Sequence, residues 1–178
     1  MHGKHGEAGF PAEVTFHGML FNPAANAVLV RVCDRTLEHP GMRVYHRNVT
    51  EEVYRPTFQL RNDESVDSLV VPLGVPFAFG LVRTWIDSPL GWSGGQRRVT
   101  RAPLDGASKA RTLEWRGPQS SKLIELLGVT DDGASIHCKA SVPVELAGNE
   151  RAVQHRLYQW SVASGEVMEV ARLARAFF

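Results

Sequence analysis

The chain has 178 residues, of which 43% are hydrophobic and 22% are charged. These values are ordinary for a globular protein, and a chain of this length can fold as one domain without disulfide or metal cross-links. The formal net charge of +1 excludes a strong overall attraction to nucleic acid or to an acidic membrane surface.

Residues 1–12 are predicted to form a flexible N-terminal tail that contains three glycines and no apolar stretch of the kind found in secretion signals. We therefore expect a cytoplasmic protein in which Cys33 and Cys138 are buried thiols rather than a disulfide. The uncharged run at 68–82 has 15 residues and contains two prolines. A membrane-spanning helix needs about 20 residues, so no membrane contact is predicted.

Residues 13–178 are predicted to form a single β-rich domain. In its first half, segments rich in β-branched and aromatic residues alternate with turn signals, and Pro56 indicates that one of these segments is an edge strand or a strand that starts late. The most apolar stretch follows. Its prolines and glycines forbid a regular helix, so we expect two short buried strands near 68–73 and 77–86. Further strands are expected in the polar interval up to Gly117.

The C-terminal third has a clearer pattern. Asp132 and Gly133 favour a tight hairpin turn, and the alternation of apolar and polar residues at 135–144 is typical of a strand with one buried face. Residues 151–162 fit a strand or a helix, and the preceding turn favours the strand. The segment 164–177 is predicted to be a helix, because a serine can cap it, glutamates come early, arginines come late, and apolar residues form one stripe.

Together these segments predict a mainly β fold of eight to ten strands joined largely by sequential hairpins. The expected architecture is an antiparallel barrel or a two-sheet sandwich with one C-terminal helix. An α/β sheet is not indicated, because helical segments do not alternate with the strands. The sequence shows no internal repeat.

The stretch GWSGGQRR, at residues 91–98, resembles two catalytic motifs. SGGQ at 93–96 is similar to the signature loop of ABC-type ATPases, but the chain has no P-loop to hold a nucleotide. Residues 91–95 also fit the G-x-S-x-G nucleophile elbow of α/β-hydrolases, but the expected strand before it and helix after it are missing. We therefore interpret this stretch as a glycine-rich hairpin loop in which Ser93 is a turn residue.

Two groups of residues are candidate binding sites. The segment 97–116 carries six cations against two carboxylates, and tryptophans flank it, so it could bind an anionic partner or nucleic acid. The candidate anion- or partner-binding residues are Arg97, Arg98, Arg101, Lys109 and Arg111. The second group is aromatic and either packs in the core or lines a ligand pocket. It consists of Phe77, Phe79, Trp85, Tyr158 and Trp160.

No cofactor, catalytic residue or metal site is predicted. The seven histidines do not occur in the HxH or HExxH spacing, and there is no CxxC pair. His137 and Cys138 are adjacent, so on a strand they point to opposite faces. A metal site assembled across strands, for instance from His17, His46 and His137, stays open at this point.

The functional expectation is a non-catalytic cytoplasmic β-domain that acts by binding another macromolecule, as an accessory, regulatory or phage-type structural protein. It rests on the lack of a catalytic constellation, and it implies a protein partner or self-association. Two alternatives stay open. One is a small-molecule-binding barrel with lyase, isomerase or cyclase chemistry, and the other is nucleic-acid binding through 97–116.

Overall fold

The computed structural model describes residues 9–37, 40–86, 93–105, 108–145 and 151–173. Over these ranges the chain forms twelve β-strands and no helix. The strands make three antiparallel sheets of four strands each, and every sheet uses strands that follow one another along the chain. The described ranges contain no helix with the length and apolarity that a membrane crossing requires. The prediction of a mainly β fold is confirmed.

The first sheet has the spatial order β1-β2-β3-β4. Its strands are β1 (Val14–Asn22), β2 (Ala27–Asp34), β3 (Gly41–Asn48) and β4 (Arg55–Pro56). β4 is short and lies at an edge, as expected for a strand that contains a proline, which cannot donate a ladder hydrogen bond. β1 lies at the opposite edge and, within the described residues, pairs with β2 alone.

The other two sheets are also consecutive meanders. The central sheet contains β5 (Glu64–Val70), β6 (Phe77–Ile86), β7 (Ser93–Pro103) and β8 (Arg111–Leu113). The third sheet contains β9 (Lys122–Val129), β10 (Ser135–Glu145), β11 (Arg151–Ser161) and β12 (Val167–Arg172). The same unit therefore occurs three times, although no repeat is visible in the sequence.

The central sheet is covered on both faces. Phe79 and Leu81 of β6 pack into a cluster with side chains of the third sheet, whereas Ala78 and Val82 pack into a second cluster with side chains of the first sheet. Gly80 lies so close to the ring of Phe58 that a Cβ atom there would be 2.8 Å from it. A strand buried on both faces has a nearly continuous apolar sequence, which explains the most apolar part of this chain.

Asn22, the last residue of β1, is fully buried and joins the first sheet to the central sheet. Its side-chain amide donates hydrogen bonds to the carbonyl oxygens of Pro72 and Val75, each at 2.9 Å, and lies 3.4 Å from that of Phe77. Its side-chain oxygen accepts a hydrogen bond of 2.7 Å from the backbone N–H of Ala25. These bonds offset the cost of burying the amide and fix how the hairpin docks on the central sheet.

The outer face of the first sheet carries a smaller apolar cluster. Phe10 is buried there against Val30, Val32 and Tyr45. Phe10 belongs to the predicted tail 1–12, of which residues 1–8 lie outside the described ranges. The segment just before β1 thus covers part of this outer face.

The predicted C-terminal helix at 164–177 is wrong. Residues Val167–Arg172 form β12, which pairs antiparallel with β11, and 174–178 lie outside the described ranges. The apolar residues that fit a helical spacing in this segment can also pack as part of a strand. The pairing with β11 outweighs their small local preference for a helix. The strand interpretation of 151–162 is confirmed, because β11 spans Arg151–Ser161.

The barrel alternative is also not found. Within the described residues each sheet has two ends and none closes on itself, so the architecture is a sandwich-like stack of sheets. The structure has more strands and one more sheet than the sequence predicts. The reason is that the first part of the chain forms a sheet of its own, which packs on the central sheet instead of extending it.

The glycine-rich stretch at 91–98 is strand from Ser93 onward, because β7 begins there and pairs with β6. Residues 87–92 lie outside the described ranges. SGGQ therefore does not open a helix, and Ser93 lies on a strand instead of at the predicted turn position. At Gly95 a Cβ atom would be 2.6 Å from the Ile86 side chain and 2.8 Å from the Thr84 carbonyl oxygen. Close packing against β6 thus explains this glycine without a catalytic role.

Candidate functional site

Strand β1 exposes four large apolar side chains at the edge of the first sheet. Phe16 is 62% exposed, Met19 70%, Leu20 40% and Phe21 49%. We call these four residues the apolar edge. An exposed apolar strand at a sheet edge is unusual, because proteins generally protect such edges with charges, prolines or covering segments.

The strand register explains why both faces of β1 are apolar. Phe16, Met19 and Phe21 lie opposite valines of β2 on the outer face of the sheet, whereas Leu20 lies opposite Leu29 on the inner face. A bulge between Phe16 and Gly18 shifts the pairing by one residue. The strand carries no Asp, Glu, Lys or Arg. It therefore lacks the charged side chains that usually keep a sheet edge from pairing with another chain.

An aromatic cluster supports the outer part of the apolar edge. The ring centroid of Phe10 lies 5.5 Å from that of Phe16, 5.2 Å from that of Tyr45 and 4.7 Å from that of Tyr54. The guanidinium of Arg47 lies over the Tyr54 ring, 5.1 Å from its centroid. These contacts hold Phe16 on a packed aromatic base, so the exposed surface is preorganised.

Two of the predicted anion-binding residues are already paired with carboxylates. Arg98 donates two hydrogen bonds to the buried carboxylate of Glu64, at 2.5 and 3.1 Å, and these bonds lower the pKa of Glu64. Arg97 donates from Nε to Asp67 at 3.0 Å and from Nη1 to the carbonyl oxygen of Leu123 at 3.3 Å. Both guanidiniums thus serve first to hold strands together.

The five predicted anion-binding residues do not form one site. Arg97 and Arg101 share one face of β7, and Arg98 lies on the other face, as alternation along a strand requires. The Arg101 guanidinium lies over the ring of Phe77, 4.6 Å from its centroid. Lys109 and Arg111 are exposed near β8.

The predicted pocket aromatics lie mainly in the core. Phe79, Tyr158 and Trp160 are fully buried in the cluster between the central and third sheets, and Phe77 packs against that cluster. The Arg83 guanidinium lies 4.0 Å from the centroid of the Trp85 ring. The Trp160 indole N–H is buried without a hydrogen-bond partner among the described residues.

A cleft of about 570 Å³ lies where the central and third sheets meet. We call it the basic cleft, because Arg97 and Lys122 lie in its wall together with Trp115. The remaining lining residues in the described ranges are Ile86, Gly95, Gln96, Ser121 and Leu123. One predicted residue, Arg97, is therefore part of a concave site.

A second cleft of about 450 Å³ is lined by polar residues that include His46, Glu51 and Arg55. His46 is buried and hydrogen-bonded to the Thr57 hydroxyl at 3.1 Å. Burial, and then the charge of Arg55, lower the pKa of His46. Glu51 in turn pairs with Arg55 at 2.9 Å, so the polar groups here largely satisfy one another.

The candidate metal ligands His17, His46 and His137 do not come together. His17 is exposed on β1, His46 is buried on β3, and His137 is exposed on β10 of the third sheet. The part of the chain that the structure describes contains no group of three or more His, Cys, Asp or Glu residues that could hold a metal ion.

Sequence reasoning missed the apolar edge and the cationic partner Lys122. The signal for the first was present, because residues 14–30 contain no Asp, Glu, Lys or Arg. What the sequence could not show is that β1 lies at an edge. Lys122 follows the basic segment by only a few residues, but its position beside Arg97 depends on how the third sheet packs on the central one.

No family model matches the chain, and no curated protein matches it. Among solved structures it is similar to one from a structural and mechanistic study of two prolyl endopeptidases, with 12% sequence identity and a TM-score of 0.37. The similarity covers 93% of this chain but only 27% of that one, so the chain spans about a quarter of the length of that structure. A similarity at this level says nothing about function.

Proposed function

We propose that this protein is a protein-binding β-domain, and that its partner adds an extended, uncharged, apolar strand to the outer edge of β1. The observation that carries the proposal is the apolar edge, with four large exposed side chains on both faces of one edge strand. Strand addition satisfies the outward-facing backbone groups of an edge strand and covers side chains on both faces at once.

The chemistry of the edge selects the kind of partner. β1 carries no formal charge, so it offers nothing to attract phosphates or charged peptides. A nucleic acid would require a row of cations along the strand, and β1 contains no Lys or Arg. An uncharged apolar strand matches this surface because its side chains lose no favourable charge hydration on binding.

The available energy indicates how large the contact must be. Burying the exposed parts of four such side chains contributes about 4 kcal/mol, while micromolar binding corresponds to about 8 kcal/mol. The four side chains alone are therefore not enough. We expect the partner also to form main-chain hydrogen bonds with β1 and to contact the aromatic base at the half-buried Tyr54.

A peptide with the sequence of residues 14–22, VTFHGMLFN, is a suitable probe because it is apolar, uncharged and suited to a strand. We expect it to bind the full chain in a fluorescence anisotropy titration. The same peptide with alternate backbone nitrogens methylated should bind about tenfold more weakly, because it can no longer donate ladder hydrogen bonds. The variant Met19→Lys should also bind the unmodified peptide about tenfold more weakly.

The matched control is Leu127→Lys, which adds the same charge at an exposed apolar residue of the third sheet. It should bind the peptide like the wild type. Equal binding of the methylated peptide, or of the Met19→Lys variant, would overturn strand addition. A wild-type dimer that Met19→Lys dissociates would show that the occupant is a second copy and not a separate protein.

A further inference from the structure

We propose that the basic cleft binds a small organic anion that carries a planar ring. This site lies between the central and third sheets, away from the apolar edge, and the proposal goes beyond the function proposed above. It rests on three features of the cleft, namely an excess of positive charge, a fixed tryptophan and a suitable volume.

The positive charge is in excess because two guanidiniums share one carboxylate. Asp67 accepts from Arg83 Nη2 at 2.8 Å and from Arg97 Nε at 3.0 Å. Among the described residues these three side chains carry a net charge of +1. Arg97 brings this charge to the wall of the cleft, and Lys122 adds a second positive charge there. The Arg97 side chain is partly buried, and charges in such a setting are screened weakly by salt, so an anion beside it is attracted more strongly than at an open surface.

Trp115 supplies an aromatic part of the cleft wall, and its ring is held in place by several contacts. Its indole N–H donates a 3.1 Å hydrogen bond to the Ser121 hydroxyl. Its ring packs edge to face with Tyr158 and Trp160, with centroids 5.7 and 5.6 Å apart. Gly117 lies against the ring so closely that a Cβ atom there would be 2.1 Å from it. A wall held in this way costs little ordering entropy when a planar ring stacks or packs on it.

The volume and the lining indicate a small molecule and not a polymer. About 570 Å³ falls in the range of small-molecule sites, and Ile86 and Leu123 add apolar surface beside the charges. A nucleic-acid strand would need a longer cationic track, but Arg98 lies on the opposite face of β7 and pairs with Glu64. Carboxylate, sulfonate and phosphate groups share the chemistry that Arg97 and Lys122 recognise.

The probe is 2-naphthoate, titrated into the full chain by isothermal calorimetry. Naphthalene-2-methanol keeps the ring without the charge, and cyclohexanecarboxylate keeps the charge without the planar ring. We expect 2-naphthoate to bind at least about tenfold more tightly than either analogue, because only it uses both parts of the cleft. Equal binding of the uncharged alcohol would overturn the role of the cations.

Two variants locate the bound probe. Lys122→Gln removes one cation at an exposed position and should weaken 2-naphthoate binding about three- to tenfold. Its matched control, Lys109→Gln, removes an exposed lysine outside the cleft and should leave the affinity for 2-naphthoate unchanged. Trp115→Leu should weaken binding more strongly, and circular dichroism reports whether this variant folds.

The proposal is overturned if 2-naphthoate does not bind at millimolar concentration, or if Lys122→Gln binds it as the wild type does. Binding that Met19→Lys removes and Lys122→Gln leaves intact would place the probe on the apolar edge instead, which also overturns it. These outcomes are independent of whether the strand peptide binds β1, so the two proposals can fail separately.

Discussion

The central sheet and strand β1 contain similar apolar residues in opposite settings. β6 has a covering sheet on each face, and its apolar side chains pack into two clusters. Within the ranges that the structure describes, β1 has a neighbour on one side only, and its aromatic and aliphatic side chains extend into solvent. The difference shows that position in the stack, more than local composition, decides whether an apolar strand is buried.

The charges show the reverse distribution. The central sheet carries arginines that bind Glu64 and Asp67 beside its buried faces, whereas β1 at the surface carries no formal charge. Charged groups in a buried setting are stable only when they are paired. Surface strands normally carry the charges, so their absence from β1 is the observation that distinguishes this edge.

The largest effect on stability is expected when a phenyl ring is removed from the central sheet, and the same change in β1 provides the comparison. Phe79→Ala removes a fully buried ring between the central and third sheets and should lower the free energy of unfolding by about 3–5 kcal/mol. Phe16→Ala removes the same ring from the exposed strand and should change it by less than about 1 kcal/mol. Urea unfolding at equal protein concentration measures both. Similar losses for the two variants would mean that β1 is covered in solution.

A smaller effect is expected at the ion pair of the central sheet. Glu64→Gln should lower the free energy of unfolding by about 2–3 kcal/mol at neutral pH, because Arg98 loses its bidentate partner while keeping some access to water. The control Glu114→Gln, in an exposed pair with Arg116, should change it by less than about 0.5 kcal/mol.

The pH dependence of the same variant gives a second check. The hydrogen bonds from Arg98 lower the pKa of Glu64 below its ordinary value of 4.5. The pair therefore stabilises the fold above that value, and this stabilisation is lost as the pH falls through the folded-state pKa. The difference in the free energy of unfolding between wild type and Glu64→Gln should therefore become smaller in acid. A difference that stays constant from pH 7 to pH 3 would contradict this assignment.

The smallest of the three effects concerns how closely the layers approach. Gly80→Ala should lower the free energy of unfolding by about 1–2 kcal/mol, because the new methyl group meets the Phe58 ring between the first and central sheets. Gly128→Ala adds the same methyl group at a position where, apart from its chain neighbours, no described residue has an atom within 4 Å of it, and should be nearly neutral. Thermal unfolding of the pair measures the difference, and equal melting temperatures would show that the ring moves aside without cost.

Much of the fold could be predicted from local patterns. Alternating residues identified β10, and the apolar run identified β6 at the predicted bounds 77–86. The strand expected near 68–73 lies earlier, as β5 at Glu64–Val70, so only residues 68–70 of that prediction are correct. The helix prediction for 164–177 is wrong because the spacing of apolar residues there fits both a helix and a strand. Only the pairing of β12 with β11 decides between the two. A local pattern therefore predicts the structure well where it fits only one type of element. It predicts poorly where it fits both a helix and a strand.

The candidate sites depend on contacts that are distant in sequence. Glu64 and Arg98 are 34 residues apart, and Asp67 and Arg97 are 30 apart. The sequence alone therefore does not show that these two arginines are paired with carboxylates. The apolar edge had a visible sequence signal, but β1 and β2 are both apolar, and only the sheet order shows which one lies outside. Charge and hydropathy thus indicate the types of residue that form both sites. They do not indicate which of these side chains are exposed in the folded protein.

The buried amide of Asn22 has a mechanical consequence. It ends β1 and is anchored to carbonyl oxygens of the segment 72–77, which leads into β6. A force that pulls on β1 is therefore passed to the central sheet through these hydrogen bonds, and not to β2 alone. The edge on which a partner would pull is thus held by a second sheet as well as by its neighbouring strand.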